Sequence, residues 1–498
     1  MDYDLNLLKK YFDFVRDNEN FHSLPNETAE DLELDLVFLK LDNTASKIGK
    51  QYFFAKLRSS DNNSQEFESF AEFFKNNPKE KEFALKQLSQ LNNRKDYDII
   101  DLLKEGVSSN EKYYKYAQFY LFAITLIAIC GFFVPKILLL IIPLIAVNMV
   151  IHYLNKNYVD YYNSIIFRLQ SAITVSEKIG RISKLQEEYD KINLKRIKKV
   201  MRFANLESAI VTNEYLSVLW IFTEIFRILF LLEIFSFRKK VNALEVSRKE
   251  LLKMFEFIGK TDTSINLLKI QEDYNICKPI FVEEKKLRLT NIYHPFIENC
   301  VQNSLELQNE SIAITGSNMS GKTSFMRSVA INVVFAQNFG FCFADFYSGP
   351  KMKIYSSISV HDDISENKSY YLEEVLRIKK FLEDRNQFAL ILIDEIFKGT
   401  NTKERIAISK SVLQNLNNEK NIVFVTTHDL EITMFLKDNN YELFYFDEEV
   451  NNNQLSFPYK LKNGINEKTN AIRILEMYDY PKNIVENAKN LVEKNGYR

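Results

Sequence analysis

The chain has 498 residues, long enough for about three ordinary domains and for large buried cores. With 40 Phe, 26 Tyr and 26% charged residues it is neither disordered nor fibrous. The balance of 65 Lys plus Arg against 66 Asp plus Glu excludes a global positive field that would draw the whole protein onto nucleic acid. Glycine is scarce at 12 residues, about a third of ordinary usage, so each position that keeps one is informative. The four cysteines, Cys130, Cys277, Cys300 and Cys342, have no paired spacing for a disulfide framework or a zinc site, which predicts a reducing compartment. Met1-Asp2-Tyr3-Asp4 is acidic where a secretory signal would be basic, so no cleavable signal is expected.

Residues 1–115 read as polar, helix-rich sequence. The next stretch, 116–155, has no charge from Tyr116 to Pro135 and, after Lys136, none from Ile137 to Asn155. Each run is long enough to cross ~30 Å of hydrocarbon as a helix, so a transmembrane hairpin turning at Pro135-Lys136 is expected. Lys112, Lys115 and Lys156 flank it and place both outer ends in the cytoplasm. A buried helical hairpin in a soluble core is the other reading of the same pattern.

Residues 156–285 hold no proline between Pro143 and Pro279, which predicts long helices in which Gly180 and Gly259 are interruptions. Ile182, Leu185, Tyr189 and Ile192 share one helical face and read as a packing stripe. Tyr215–Phe237 is apolar but carries Glu224, Arg227 and Glu233, so a core or interface helix is expected there rather than a third span.

From about 286 to 498 the pattern becomes α/β. Ser311–Thr315, Ala389–Ile393 and Asn421–Val425 are apolar runs of strand length, each followed by polar chemistry, as in buried parallel strands. The first runs into Gly316-Ser317-Asn318-Met319-Ser320-Gly321-Lys322-Thr323, a complete phosphate loop opening a helix at Ser324. Backbone N–H groups and the helix N-terminus suit ATP phosphates, Lys322 the terminal phosphates, and the Thr323 hydroxyl Mg²⁺. The second run delivers Asp394, suited to Mg²⁺, and Glu395, suited to orient or deprotonate a water. The third ends in Thr426-Thr427-His428-Asp429, which puts His428 at the same edge to sense the terminal phosphate; a satisfied core histidine is the bland alternative.

These residues carry a resemblance. Thr315–Thr323 with Met326-Arg327 resembles the phosphate loop of the MutS family of DNA mismatch repair ATPases, and Asp394–Thr402 resembles that family's Walker B segment and following loop. Ala336–Gly340, His294-Pro295, Phe457–Leu461 with Gly464, and Thr469–Ile472 with Pro481 and Ala488 continue it over about 286–492. The resemblance implies a P-loop NTPase domain of the ABC type, using ATP and Mg²⁺ in a homodimer supported by the C-terminal helices. It also implies that Asp362-Asp363-Ile364 and Ser369–Glu374 form a signature loop whose Ser369 contacts the γ-phosphate in the opposite subunit, with Glu374 matching a family glutamate. Asn367 stands where the family has glycine and Tyr370 where it has a small threonine, a departure in that composite site.

Upstream, Leu41–Leu57 and Phe255–His294 resemble the start and end of the family's helical lever, so the hairpin falls inside an all-α lever domain and no room is left for a mismatch reader. The charge-free hairpin and its flanking lysines, together with the resemblance, lead to the expectation of a membrane-anchored ATPase of the cytoplasmic (inner) membrane, its ATPase domain in the cytoplasm. Two readings of its work stand: a DNA-binding protein related to mismatch repair, or a membrane mechanochemical ATPase or scaffold acting on a protein or lipid partner.

Overall fold

The three apolar runs fold as strands, the second and third each one residue longer than expected. The computed structural model describes residues 4–17, 21–60, 64–104, 111–200, 230–317, 319–358, 370–383, 387–451, 454–466, 471–478 and 480–494. Its strands in chain order are β1 (Ile280–Phe281), β2 (Leu287–Ile292), β3 (Asn303–Leu307), β4 (Ser311–Thr315), β5 (Phe346–Gly349), β6 (Lys353–Ser357), β7 (Ala389–Asp394), β8 (Asn421–Thr426), β9 (Tyr441–Phe446), β10 (Glu449–Asn451), β11 (Gln454–Ser456) and β12 (Leu461–Asn463). A six-stranded sheet has the order β12-β9-β4-β8-β7-β6, and a four-stranded sheet the order β1-β5-β2-β3.

In the larger sheet β6, β7, β8, β4 and β9 are parallel, and β12 pairs antiparallel with β9 at the edge. Thr426 pairs with both Ile314 and Asp394, so β4, β8 and β7 end level. Parallel strands covered on both faces need apolar residues at every position, and β8 is buried throughout. On one face Ile391, Ile393, Val423 and Val425 pack with Ile378, Phe381, Leu413 and Leu436 from three helices. On the other lies the helix Lys322–Phe339, whose Phe325 ring sits 6.4 Å from Phe424 and 5.9 Å from Phe446.

The chain divides into two compact units. One comprises Met1–Asn18, Asn43–Ala55 and Ser69–Leu268, the other Glu19–Asp42, Lys56–Glu68 and Lys269–Arg498. Two early segments that read as lever are therefore part of the α/β unit. There Asp31 is 1% exposed and its carboxylate accepts from Ser356 Oγ (2.6 Å), the Ile358 N–H (3.0 Å) and Arg377 (3.5 Å). Arg327, in the helix after the phosphate loop, donates to the Asp31 carbonyl and pairs with Glu33 at 2.7 Å. At the far end of that helix Asn338 donates to the carbonyls of Lys56 and Ser59 at 3.1 and 2.7 Å. Both segments thus grip one helix, the first near its start and the second near its end.

The other unit is helical, and its helices reach the expected length, with Ile141–Ile179 spanning 39 residues and Leu232–Asp273 spanning 42. Asp262 organises one end of its core by accepting from the Ala45 and Ser46 N–H groups and the Ser46 hydroxyl at 2.6–2.9 Å. Gly180 does end a helix, following Ile179 as its C-cap. Gly259, by contrast, lies in mid-helix, where an added Cβ would meet Tyr52 Cβ at 2.5 Å, so it marks close packing rather than an interruption. Ile182, Leu185 and Ile192 are buried and Tyr189 is half-buried, but the helix runs only from Ser183 to Tyr189, so Ile182 and Ile192 pack from outside it and the four do not share one helical face.

Within this unit, Tyr114–Phe133 and Pro135–Leu154 are long and apolar enough, by length and composition, to cross a membrane. The α-helices Glu111–Phe133 and Ile141–Ile179 are joined by a 3₁₀ helix, Pro135–Leu140, rather than a two-residue turn, with Pro135 at its first position, where its fixed φ is tolerated. Phe119, Phe122, Phe132, Phe133 and Leu139 are 69, 68, 86, 77 and 65% exposed, so among the described residues these side chains are left uncovered. At the base of the pair Ala117, Tyr120 and Ile124 pack with Leu231 and Ile234. Those two belong to the described end of 215–237; Glu224 and Arg227 lie outside the described residues.

Candidate nucleotide site

The level ends of β4, β7 and β8 bring the sequence-predicted residues to one edge. After β4 the chain turns through Gly316 (φ 139°), Met319 (φ 76°) and Gly321 (φ 103°) into the helix beginning at Lys322. Gly316 is required twice over, since its φ is one that L side chains rarely adopt and a Cβ there would meet the Phe446 carbonyl oxygen at 2.6 Å. Lys322, buried, curls back so that its Nζ donates to the Gly316 and Ser317 carbonyls at 2.7 and 2.9 Å. Burial lowers its pKa from the ordinary lysine value, against the pull of Asp394 and Glu395.

Thr323 Oγ1 donates to Asp394 Oδ2 at 2.8 Å, and Thr426 Oγ1 donates to Asp394 Oδ1. Two hard oxygens held together in this way are the ligand type that Mg²⁺ prefers. The hydroxyls of Ser317 and Ser320 are buried without a hydrogen-bond partner, which fits a loop shaped for an anion. Ser324 is exposed at the start of the helix; Asn318 and Ser369, and with Ser369 the signature loop 362–369, lie outside the described residues.

Glu395 follows β7 with φ 56°, and Phe397 with φ 58°, a left-handed backbone unusual for these residues. The Glu395 backbone N–H donates to the Thr426 carbonyl at 3.2 Å. Its carboxylate lies 3.0 Å from His428 Nε2 and 3.5 Å from Lys398 Nζ. The hydrogen bond from His428, with the positive charges of Lys398 and Lys322 nearby, pulls the Glu395 pKa down to about 2. It is therefore an ionised acceptor at neutral pH, and His428, partly exposed, is its partner rather than a satisfied core residue.

Two contributors carried no derived role in the sequence. Glu374, buried on the helix Tyr370–Glu383, accepts from the Phe397 N–H and so holds the strained turn after Glu395. Burial raises its pKa. Tyr459 (φ 52°) places its ring 3.0 Å from where a Gly321 Cβ would stand, and Asn303 fixes it by donating to the Tyr459 carbonyl and accepting from the Leu461 N–H. Glu374 lies 23 residues from Phe397 and Tyr459 lies 156 from Asn303, so no local periodicity signals either contact.

Comparison with known proteins agrees with this geometry. The family described as MutS domain V, a P-loop ATPase-type domain, matches residues 312–495. Among similar proteins, the DNA mismatch repair protein MutS of Pseudothermotoga lettingae is 29% identical over 259 residues, covering 49% of this chain and 31% of the relative. That of Methanosarcina mazei is 25% identical over 276 residues (53% and 31%), and that of Staphylococcus epidermidis 28% over 274 (52% and 31%). The chain spans about a third of the length of these relatives. The phosphate loop and both acids thus lie in the part of the chain that is similar to MutS domain V.

Proposed function

We propose that the protein is a membrane-anchored MutS-type ATPase that binds and hydrolyses ATP at a site completed in a homodimer. The observation that carries this reading is the convergence, at one sheet edge, of Lys322, the Thr323–Asp394 pair and the Glu395–His428 pair. Gly316–Ser324 cradles the phosphates, and Lys322 exchanges its two carbonyl partners for phosphate oxygens. Thr323 and Asp394 hold Mg²⁺, which when bound neutralises phosphate charge. Glu395, ionised and fixed by His428, accepts a hydrogen bond from the attacking water and aligns it. Ser369 reaches the γ-phosphate of the opposite subunit.

ATP turnover by the purified, detergent-solubilised chain tests the site. Lys322→Ala and Glu395→Gln should each lower kcat by roughly 10²–10³-fold, the second retaining bound ATP. Ser369→Ala subunits mixed with wild type should slow hydrolysis. Full turnover in either of the first two variants would sink the reading.

The relatives' printed name favours a DNA partner related to mismatch repair. The hairpin Tyr114–Leu154, exposed among the described residues, favours a second reading, in which the motor sits in the cytoplasmic membrane, its ATPase domain in the cytoplasm, and acts on a protein or lipid partner. A gel shift on duplex, mismatched and branched DNA separates them. Binding that weakens steeply with salt supports DNA, and absence of binding at low salt removes it.

A further inference from the structure

Cys277 and Cys342 are 65 positions apart in sequence but face each other across an isolated antiparallel bridge. Each N–H donates to the other's carbonyl at 2.9 Å, the hydrogen-bonded antiparallel pair whose Cα atoms lie about 5.5 Å apart. That spacing is inside the range a disulfide spans. Both thiols are free, and they lie close enough for each to influence the other's ionisation. They are also unequal. Cys277 is part-exposed, and the Cys342 thiol followed by the Tyr347 backbone N–H holds its pKa below the ordinary value, against burial and the charge of Asp345. Cys342 is buried, and burial pushes its pKa well up. The Tyr347 hydroxyl beside them is buried without a partner.

We propose that Cys277 and Cys342 are an oxidation site, with Cys277 the peroxide-reactive thiol and Cys342 the resolving one. The Cys277 thiolate attacks hydrogen peroxide, breaking the O–O bond to give a sulfenic acid and hydroxide. The Cys342 sulfur then attacks that sulfenic sulfur, the S–S bond forms, and the sulfenic oxygen leaves as water with the Cys342 proton. The hydroxide is neutralised by the proton first lost from Cys277. The sum is two thiols plus H₂O₂ giving one disulfide and two waters. A low-pKa accessible thiol next to a resolving cysteine is the arrangement that redox-sensing sites use. The bond would close a loop containing Gly316–Thr323 and fasten the segment around Cys277 to the helix Lys322–Phe339, because Cys342 Sγ already donates to the Asn332 carbonyl of that helix at 3.8 Å. The inference stands on the pair's own geometry and does not depend on ATP turnover.

The test uses the full chain carrying Cys130→Ser and Cys300→Ser, purified in detergent and treated with a few equivalents of hydrogen peroxide. Remaining thiols are capped with N-ethylmaleimide and the peptides analysed without reductant. The expected result is loss of both thiols, a Cys277–Cys342 linked peptide reversed by dithiothreitol, and a Tm raised by several degrees. Adding Cys342→Ser should leave a dimedone-trappable sulfenic acid at Cys277. Linkage no faster in the folded chain than in urea would overturn the proposal. So would two intact thiols, or oxidation of Cys277 beyond the sulfenic acid without linkage.

Discussion

Two helical regions of this protein are both rich in apolar residues and opposite in surroundings. In Lys322–Phe339, every residue from Ser328 to Phe339 is buried, with the sheet against Phe325 and the segments around Asp31 and Lys56 against Arg327 and Asn338. In Tyr114–Leu154, the large side chains Phe119, Phe132 and Leu139 find nothing among the described residues to cover them. Burying apolar area is favourable wherever it is done. The first helix takes its environment from its own unit, whereas the exposed apolar length of the second is the feature on which the proposed membrane anchoring rests.

Placing one charge in each region should break or sharpen that contrast. Val333→Lys, at a fully buried position, should cost more than about 4 kcal/mol, read as lost amide-exchange protection in β4, β7 and β8, because a buried unpaired ammonium has no partner. Near-normal protection would mean that the helix is less enclosed than it looks. Asp31→Ala should cost about 3 kcal/mol by the same measurement, since it removes the buried acceptor for Ser356 and Ile358, while Arg377 keeps Glu373 at 2.9 Å.

Leu139→Lys should leave exchange in the α/β unit unchanged, yet weaken partition of the hairpin into vesicles by about 3 kcal/mol. Equal partition of variant and parent would remove the membrane assignment. The smallest effect comes from His294, buried beside Arg327, whose pKa burial lowers from 6.5 to about 4. The unfolded chain takes up a proton near pH 6.5 and the folded chain only near 4. Stability is therefore full above the first value and falls as pH drops towards the second, by about 1 kcal/mol between pH 7 and 5.5. His294→Asn should flatten that slope in denaturant titrations, and an unchanged slope would assign it to other groups.

Much of the site was legible because its signals are local. The phosphate loop, the acids after β7 and the histidine after β8 each follow a short buried strand, and parallel strands that end level must deliver them to one edge. Asp31 was not legible. Its side chain answers Ser356 and Arg377, 325 and 346 residues away, and nothing within a few residues of it distinguishes a buried hub from a surface carboxylate on a polar helix. Gly259 failed for the same reason, since its need for a missing Cβ is set by Tyr52, a residue on another helix.

The sequence by itself determined the α/β pattern, the phosphate loop, the two acids and the apolar length of the hairpin, because each is written in the spacing of neighbouring residues. Tertiary structure alone decided which early segments belong to the α/β unit, that Glu374 and Tyr459 frame the site, and that Cys277 meets Cys342. Those outcomes depend on contacts between residues far apart in the chain, and such contacts leave no periodicity for a linear reading to find.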